Sequence, residues 1–178
     1  PSSASVAAAD APARPVPTTS TLNLRLLFGL TSLTSSLKEF QRSSTGPDGS
    51  FDEEAFARFM QRFVDSKIGV YLGSAGSGEG GALTADELLR VYRVGVEVCK
   101  GKVAVNGNPP EKPTARETLE HANLAIQGGV EVVNIYGPPG WHAFRPTDEE
   151  FMGFFDELLS QFKHPVALSP NPTIGYSP

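Results

Sequence analysis

The sequence predicts an α/β fold built on a parallel sheet, and three observations carry that prediction. Short apolar runs recur at Leu24–Leu30, Ile68–Leu72, Lys102–Val105, Val130–Ile135 and Val166–Leu168. Continuous Val, Ile and Leu runs of this length suit strands buried on both faces beneath helices. Each of the first four is followed by a longer amphipathic stretch, and strand starts near 68, 103, 130 and 166 repeat at roughly one βα unit. Crossovers of that kind make a sheet that is either open and doubly wound or closed as a barrel, and periodicity does not choose between them.

Before the first strand, Pro1 to Thr21 is built mainly from Ala, Pro, Ser and Thr without apolar periodicity. Such a segment cannot bury enough apolar surface to offset its ordering entropy, and it is expected to be a disordered tail. It lacks the apolar centre of a secretory signal, and Arg14 is its only basic residue. A clipped organelle transit peptide is the alternative to a plain cytoplasmic tail.

The helices that follow carry start signals. Asp52 precedes Glu53 and Glu54, and Phe56, Phe59, Met60 and Phe63 keep one apolar face at helical spacing. Thr84-Ala-Asp-Glu87, Thr114-Ala-Arg-Glu117 and Thr147-Asp-Glu-Glu150 each match a capping box. Leu88, Leu89, Val91, Tyr92 and Val96 are the apolar residues that follow in the second helix. Phe151, Phe154, Phe155, Leu158, Leu159 and Phe162 form the buried stripe of the last.

Composition narrows the function. Of 178 residues, 39% are hydrophobic and 20% charged, which suits a globular domain, and the formal charge of -5 disfavours phosphate-backbone binding. No nucleic acid and no membrane are therefore expected as partners, since no run nears the 18 apolar residues of a span. The lone Cys99 cannot form an intramolecular disulfide, and its place on an apolar helix side predicts a buried, inert thiol. His121, His142 and His164 show no metal-ligand spacing, so no metal and no other cofactor is expected.

In parallel α/β folds, ligands bind at the carboxyl ends of the strands, so the loops there hold the candidate residues. Leu72-Gly-Ser-Ala-Gly-Ser-Gly-Glu79 can point several N–H groups into one hollow, with Ser74 and Ser77 adding hydroxyls. It lacks the Gly-Lys-Ser/Thr of a P-loop, and a flexible connection is the plain alternative to anion binding. Asn106-Gly-Asn-Pro-Pro-Glu-Lys-Pro113 reads as a stiff loop whose asparagines favour turn roles over ligand contact. Tyr136 to Pro146 gathers Trp141, His142 and Arg145, which either line a ligand or pack and solvate ordinarily.

The order of these motifs carries a resemblance. Gly46-Pro-Asp-Gly-Ser-Phe-Asp-Glu-Glu54, the glycine loop with Leu83-Thr-Ala-Asp-Glu87, Lys102-Val-Ala-Val-Asn-Gly107, Phe144-Arg-Pro-Thr-Asp-Glu-Glu150 and His164-Pro-Val-Ala-Leu168 follow one another along the chain. Together they resemble the dihydrodipicolinate synthase / N-acetylneuraminate lyase family from about Leu26 onward. The resemblance implies a (β/α)₈ TIM barrel, incomplete here, with about the first four βα units plus strand five. It implies lyases and aldolases that join pyruvate or another 2-oxo acid to a lysine as a Schiff base. The protonated imine acts as an electron sink for C–C chemistry beside the carbonyl.

By the same resemblance Ser74, Ala75, Gly76, Ser77 and Gly78 hold the substrate carboxylate, supported by Thr31, while Trp141, His142 and Arg145 shape the distal pocket. A small 2-oxo acid is the expected partner. The family's habit of forming dimers and tetramers makes a homo-oligomer the expected assembly. Departures accompany the match. Ser169 stands where a proton-relay tyrosine is expected, Trp141-His-Ala replaces a tyrosine pair, and Leu30-Thr-Ser-Leu33 stands for Val-Thr-Pro-Phe. None of Lys67, Lys100, Lys102 and Lys163 is expected to end a strand. The chain alone is therefore expected to be inactive, and a non-catalytic relative that binds a metabolite or a protein is the alternative.

Overall fold

The computed structural model describes residues 46, 49–75, 78–139 and 146–169. The expected tail, the boundary at residue 22 and the expected strand Leu24–Leu30 lie outside them. Within the described residues the chain alternates α1 (Glu53–Asp65), β1 (Val70–Leu72), α2 (Ala85–Cys99), β2 (Val105–Gly107), α3 (Ala115–Gly128), β3 (Val133–Ile135), α4 (Asp148–Gln161) and β4 (Val166–Leu168).

The helices begin where side chains can take the free amides of their first turns. Asp52 accepts from Ala55 N–H at 2.9 Å and starts α1. At Thr84 and Thr147 the hydroxyl accepts the Glu87 and Glu150 N–H, while those carboxylates accept the threonine amides, completing the box. At Thr114 only half of it forms: the hydroxyl accepts Glu117 N–H at 3.2 Å, and the carboxylate takes the hydroxyl itself at 2.7 Å.

The strands are parallel and ordered β1-β2-β3-β4. Leu72 pairs with Gly107, Gly107 with Val133, and Val133 with Val166. One level of the sheet thus crosses the last residues of β1 and β2 and the first residues of β3 and β4. That stagger is what tilted strands acquire when a sheet closes.

Three strand boundaries depart from the sequence reading, for one reason: residues after a helix first close that helix. Lys67 and Ile68 N–H bond to the Val64 and Phe63 carbonyls, so β1 starts at Val70. Lys102 and Val103 N–H both bond to the Cys99 carbonyl, so β2 starts at Val105 and extends through Asn106 and Gly107, which the sequence reading assigned to a loop. β3 starts at Val133 rather than Val130: Val130 N–H closes α3 on the Ala125 carbonyl at 3.3 Å, while Glu131 N–H already bonds across to the Val105 carbonyl of β2.

The core lies between the sheet and the helices. Phe56 and Met60 of α1, Leu88, Val91 and Tyr92 of α2, Ala122 and Ala125 of α3, and Phe154, Phe155 and Leu158 of α4 are buried with Val70, Leu72, Val105, Val133 and Ile135. Burying a side chain such as Leu158 stabilises the fold by about 1.5–3 kcal/mol. Tyr92 fits only because α3 ends in glycine beside it: a Cβ on Gly128 would lie 2.2 Å from Tyr92 Cβ. Cys99 is fully buried, and desolvation raises its thiol pKa, which matches the inert role read from the sequence.

Candidate functional site

Strand alternation sorts the residues at the carboxyl ends into two faces. A Cβ on Gly95 of α2 would meet Leu72 Cδ1, and one on Gly107 would meet Ala125 Cβ, so Leu72 and Gly107 face the helices. The register puts Val133 and Val166 on that face too. Tyr71, Asn106, Asn134 and Ala167 therefore fall on the opposite face.

On that second face a chain of uncharged polar side chains links three neighbouring strands. Asn108, just past β2, is held by its own N–H, which donates to the Leu72 carbonyl at 2.7 Å. Asn134 of β3 donates from Nδ2 to Asn108 Oδ1 at 3.4 Å, a long contact, and accepts the Ser169 hydroxyl on Oδ1 at 2.6 Å, a short one. Ser169 N–H extends the ladder to the Ile135 carbonyl at 2.9 Å. Both asparagines are buried at 4% exposure, where an amide is stable only if hydrogen-bonded.

Beside this chain the β1 loop folds back on itself. Gly73 takes φ +85°, a left-handed conformation that favours glycine, and Gly80 N–H donates to the Ser74 carbonyl at 3.0 Å. A Cβ on Gly80 would sit 1.8 Å from the Gly73 carbonyl oxygen, so only glycine fits. Ser74 is buried at this turn, Gly78 is half-buried and Ala75 exposed. The Tyr92 hydroxyl lies directly under Gly73, buried and without a hydrogen-bond partner among the described residues, and burial pushes its pKa well above the ordinary phenol value.

Of the residues singled out from the sequence, Ser74 and Ser169 thus lie at the carboxyl ends of β1 and β4. Thr31, Gly76, Ser77, Trp141, His142 and Arg145 lie outside the described residues. Asn134 was missed, although its signal was present: an asparagine inside Val133-Asn-Ile135, a run read as buried on both faces, needs a partner. Asn108 was given a turn role, and it instead pairs with Asn134. Among the described residues no group of three His, Cys, Asp or Glu could hold a metal ion, and no helix is long and apolar enough to cross a membrane. None of the described strands ends in lysine. The shallow cleft between α1 and α2, lined by Glu53, Glu54, Gln61, Glu97 and Lys102, lies on the outer helical surface, away from the strand ends.

No family model matches the chain. It is 28% identical over 121 residues to a 4-hydroxy-tetrahydrodipicolinate synthase of a Nitratiruptor species, covering 68% of this chain and 40% of that one. Another from Campylobacter jejuni subsp. doylei is 25% identical over 122 residues, with the same shares. The chain thus spans about two fifths of the length of these curated relatives. Among solved structures, a prophage protein of the dihydrodipicolinic acid synthase family from E. coli K12, in complex with pyruvate, superposes with a TM-score of 0.62 at 21% identity. That match covers 74% of this chain and 43% of that one. The dihydrodipicolinate synthase of Acinetobacter baumannii, complexed with pyruvate, gives 0.65 at 16% identity, over 74% and 44%. These likenesses agree with the motif order. The fold is that of an incomplete (β/α)₈ barrel, and a partial member of the dihydrodipicolinate synthase / N-acetylneuraminate lyase family fits the chain.

Proposed function

We propose that this chain is the carboxylate-holding part of a Schiff-base-forming lyase or aldolase that acts on pyruvate or a related 2-oxo acid. The observation that carries the reading is the β1 loop. A turn that only glycine fits at Gly80, next to a left-handed Gly73, holds Ser74 at the strand end, where parallel α/β folds bind ligands. Backbone amides there, with the Ser74 and Ser77 hydroxyls, suit a carboxylate. The resemblance alone assigns Trp141, His142 and Arg145 to the distal side of that pocket. The resemblance puts the imine-forming lysine outside the described strands, none of which ends in lysine.

The test uses the full-length protein that carries this chain. Changing both Ser74 and Ser77 to Ala should weaken pyruvate binding by roughly tenfold or more, the order expected when charge-assisted hydrogen bonds are lost. Unchanged affinity would overturn the assignment.

A second reading has its own observation. The Ser169 hydroxyl, at the position of the expected relay tyrosine, is engaged by Asn134 at 2.6 Å. That favours a relative that binds a metabolite without turning it over. Borohydride reduction in the presence of pyruvate separates the two: a covalent adduct supports the lyase, and binding without an adduct supports the non-catalytic relative.

A further inference from the structure

We propose that the Asn108–Asn134–Ser169 chain is a specificity subsite that reads a hydroxyl group on the ligand. This inference rests on the 2-oxo acid reading above and names what else the ligand carries.

The direction of the hydrogen bonds decides what Ser169 can offer. Its single proton goes to Asn134 Oδ1 at 2.6 Å, which leaves the Ser169 oxygen as an acceptor. Asn134 spends one N–H on Asn108 Oδ1, and Asn108 is tied by its backbone to the end of β1. Both amides are buried, so neither turns freely to reverse the pattern. Ser169, half-buried at the end of β4, is the member nearest the surface.

Three kinds of ligand group can meet such an acceptor. A methyl group leaves the Ser169 oxygen unpaired, and a desolvated polar atom without a partner is costly. A carboxylate sets acceptor against acceptor. A hydroxyl donates to Ser169 and keeps a lone pair for a further donor, so it alone matches. No member of the chain carries a charge, so the subsite offers hydrogen bonds and no ion pair. Sites that hydrogen-bond a ligand hydroxyl reject the analogue lacking it far more strongly than apolar pockets reject a missing methylene.

Pyruvate and 3-hydroxypyruvate differ by that one group and serve as probes. Their dissociation constants are measured by calorimetry on the full-length protein, with Ser169→Ala and Ser169→Thr beside the parent. The parent should bind hydroxypyruvate at least about tenfold tighter than pyruvate. Ser169→Ala should bring the ratio towards one, and Ser169→Thr, which keeps the hydroxyl, should retain it. Pyruvate binding with a ratio near one in the parent, or a ratio unchanged by Ser169→Ala, overturns the subsite and leaves the 2-oxo acid reading standing. Binding of neither probe overturns that reading and the subsite with it. Should Ser169→Ala fail to fold, the ratio in the parent alone decides.

Discussion

The two faces of the sheet are built to different rules. The helix-covered face is apolar and closely fitted: Val70, Leu72, Val105, Val133 and Ile135 are all buried, and glycines stand where helix and strand nearly touch. The opposite face carries Tyr71, Asn106, Asn134 and Ala167, with Tyr71 60% exposed. Asn134 hydrogen-bonds there with Asn108 and Ser169 at the strand ends. The difference separates two tasks in one short sheet. Stability comes from shape on the first face, and the second carries the placed polar groups of the proposed recognition site.

The contrast breaks first at Gly128. Replacing an exposed helical glycine by alanine ordinarily stabilises a protein by about 1 kcal/mol. Here the new Cβ would lie 2.2 Å from Tyr92 Cβ, a rigid stem rather than a flexible tip. Gly128→Ala should instead destabilise by about 2–3 kcal/mol, the range for overpacking a filled core. A denaturant titration followed by circular dichroism reads the sign. A gain in stability would show that the helix-covered face is looser than its geometry.

A smaller effect is expected at the helix starts, which belong to neither face. Thr84→Ala and Thr147→Ala should each cost about 1 kcal/mol. Their acid-side behaviour sharpens the assignment. Hydrogen bonds from the Thr84 backbone amide, then from its hydroxyl, hold Glu87 below its ordinary pKa of 4.5, and Thr147 does the same to Glu150. A depressed carboxylate pKa adds stability that is present above 4.5 and is lost as pH falls through the lowered folded value. Removing the hydroxyl should flatten that part of the pH–stability curve. A double variant with the parent's acid slope would show that the boxes do not form in solution.

The two faces were also unequally legible in the sequence. Alternating periods and cap residues announce the helix-covered face, because burial and capping act on neighbours a few residues apart. Thus α1, α2 and α4 start after Asp52, Thr84 and Thr147, as their residues foretell. Strand starts were less legible, since Lys102 and Val103 have strand-like apolar company yet spend their N–H groups closing α2. The polar face was legible only in part. Ser74 stood out because glycines surround it, whereas Asn134 meets Asn108 and Ser169 across 26 and 35 residues of chain. No local pattern reports a partner at that distance, and the one trace was a polar residue in a run that should be apolar.

The smallest effect belongs to Tyr71, and it tests the open face directly. Its neighbours in the strand, Val70 and Leu72, are 7% and 4% exposed, while Tyr71 is 60% exposed and faces away from the helices. A side chain that makes little contact contributes little, so Tyr71→Ser should shift the stability of the 178-residue chain by no more than about 0.5 kcal/mol. The same substitution at Leu72, one residue on, removes a packed side chain and should cost several times as much. Unfolding midpoints of the two variants, measured side by side, give the ratio. Equal losses would mean that Tyr71 is covered by residues outside the described part, and the open face would then be a second core rather than a surface for recognition.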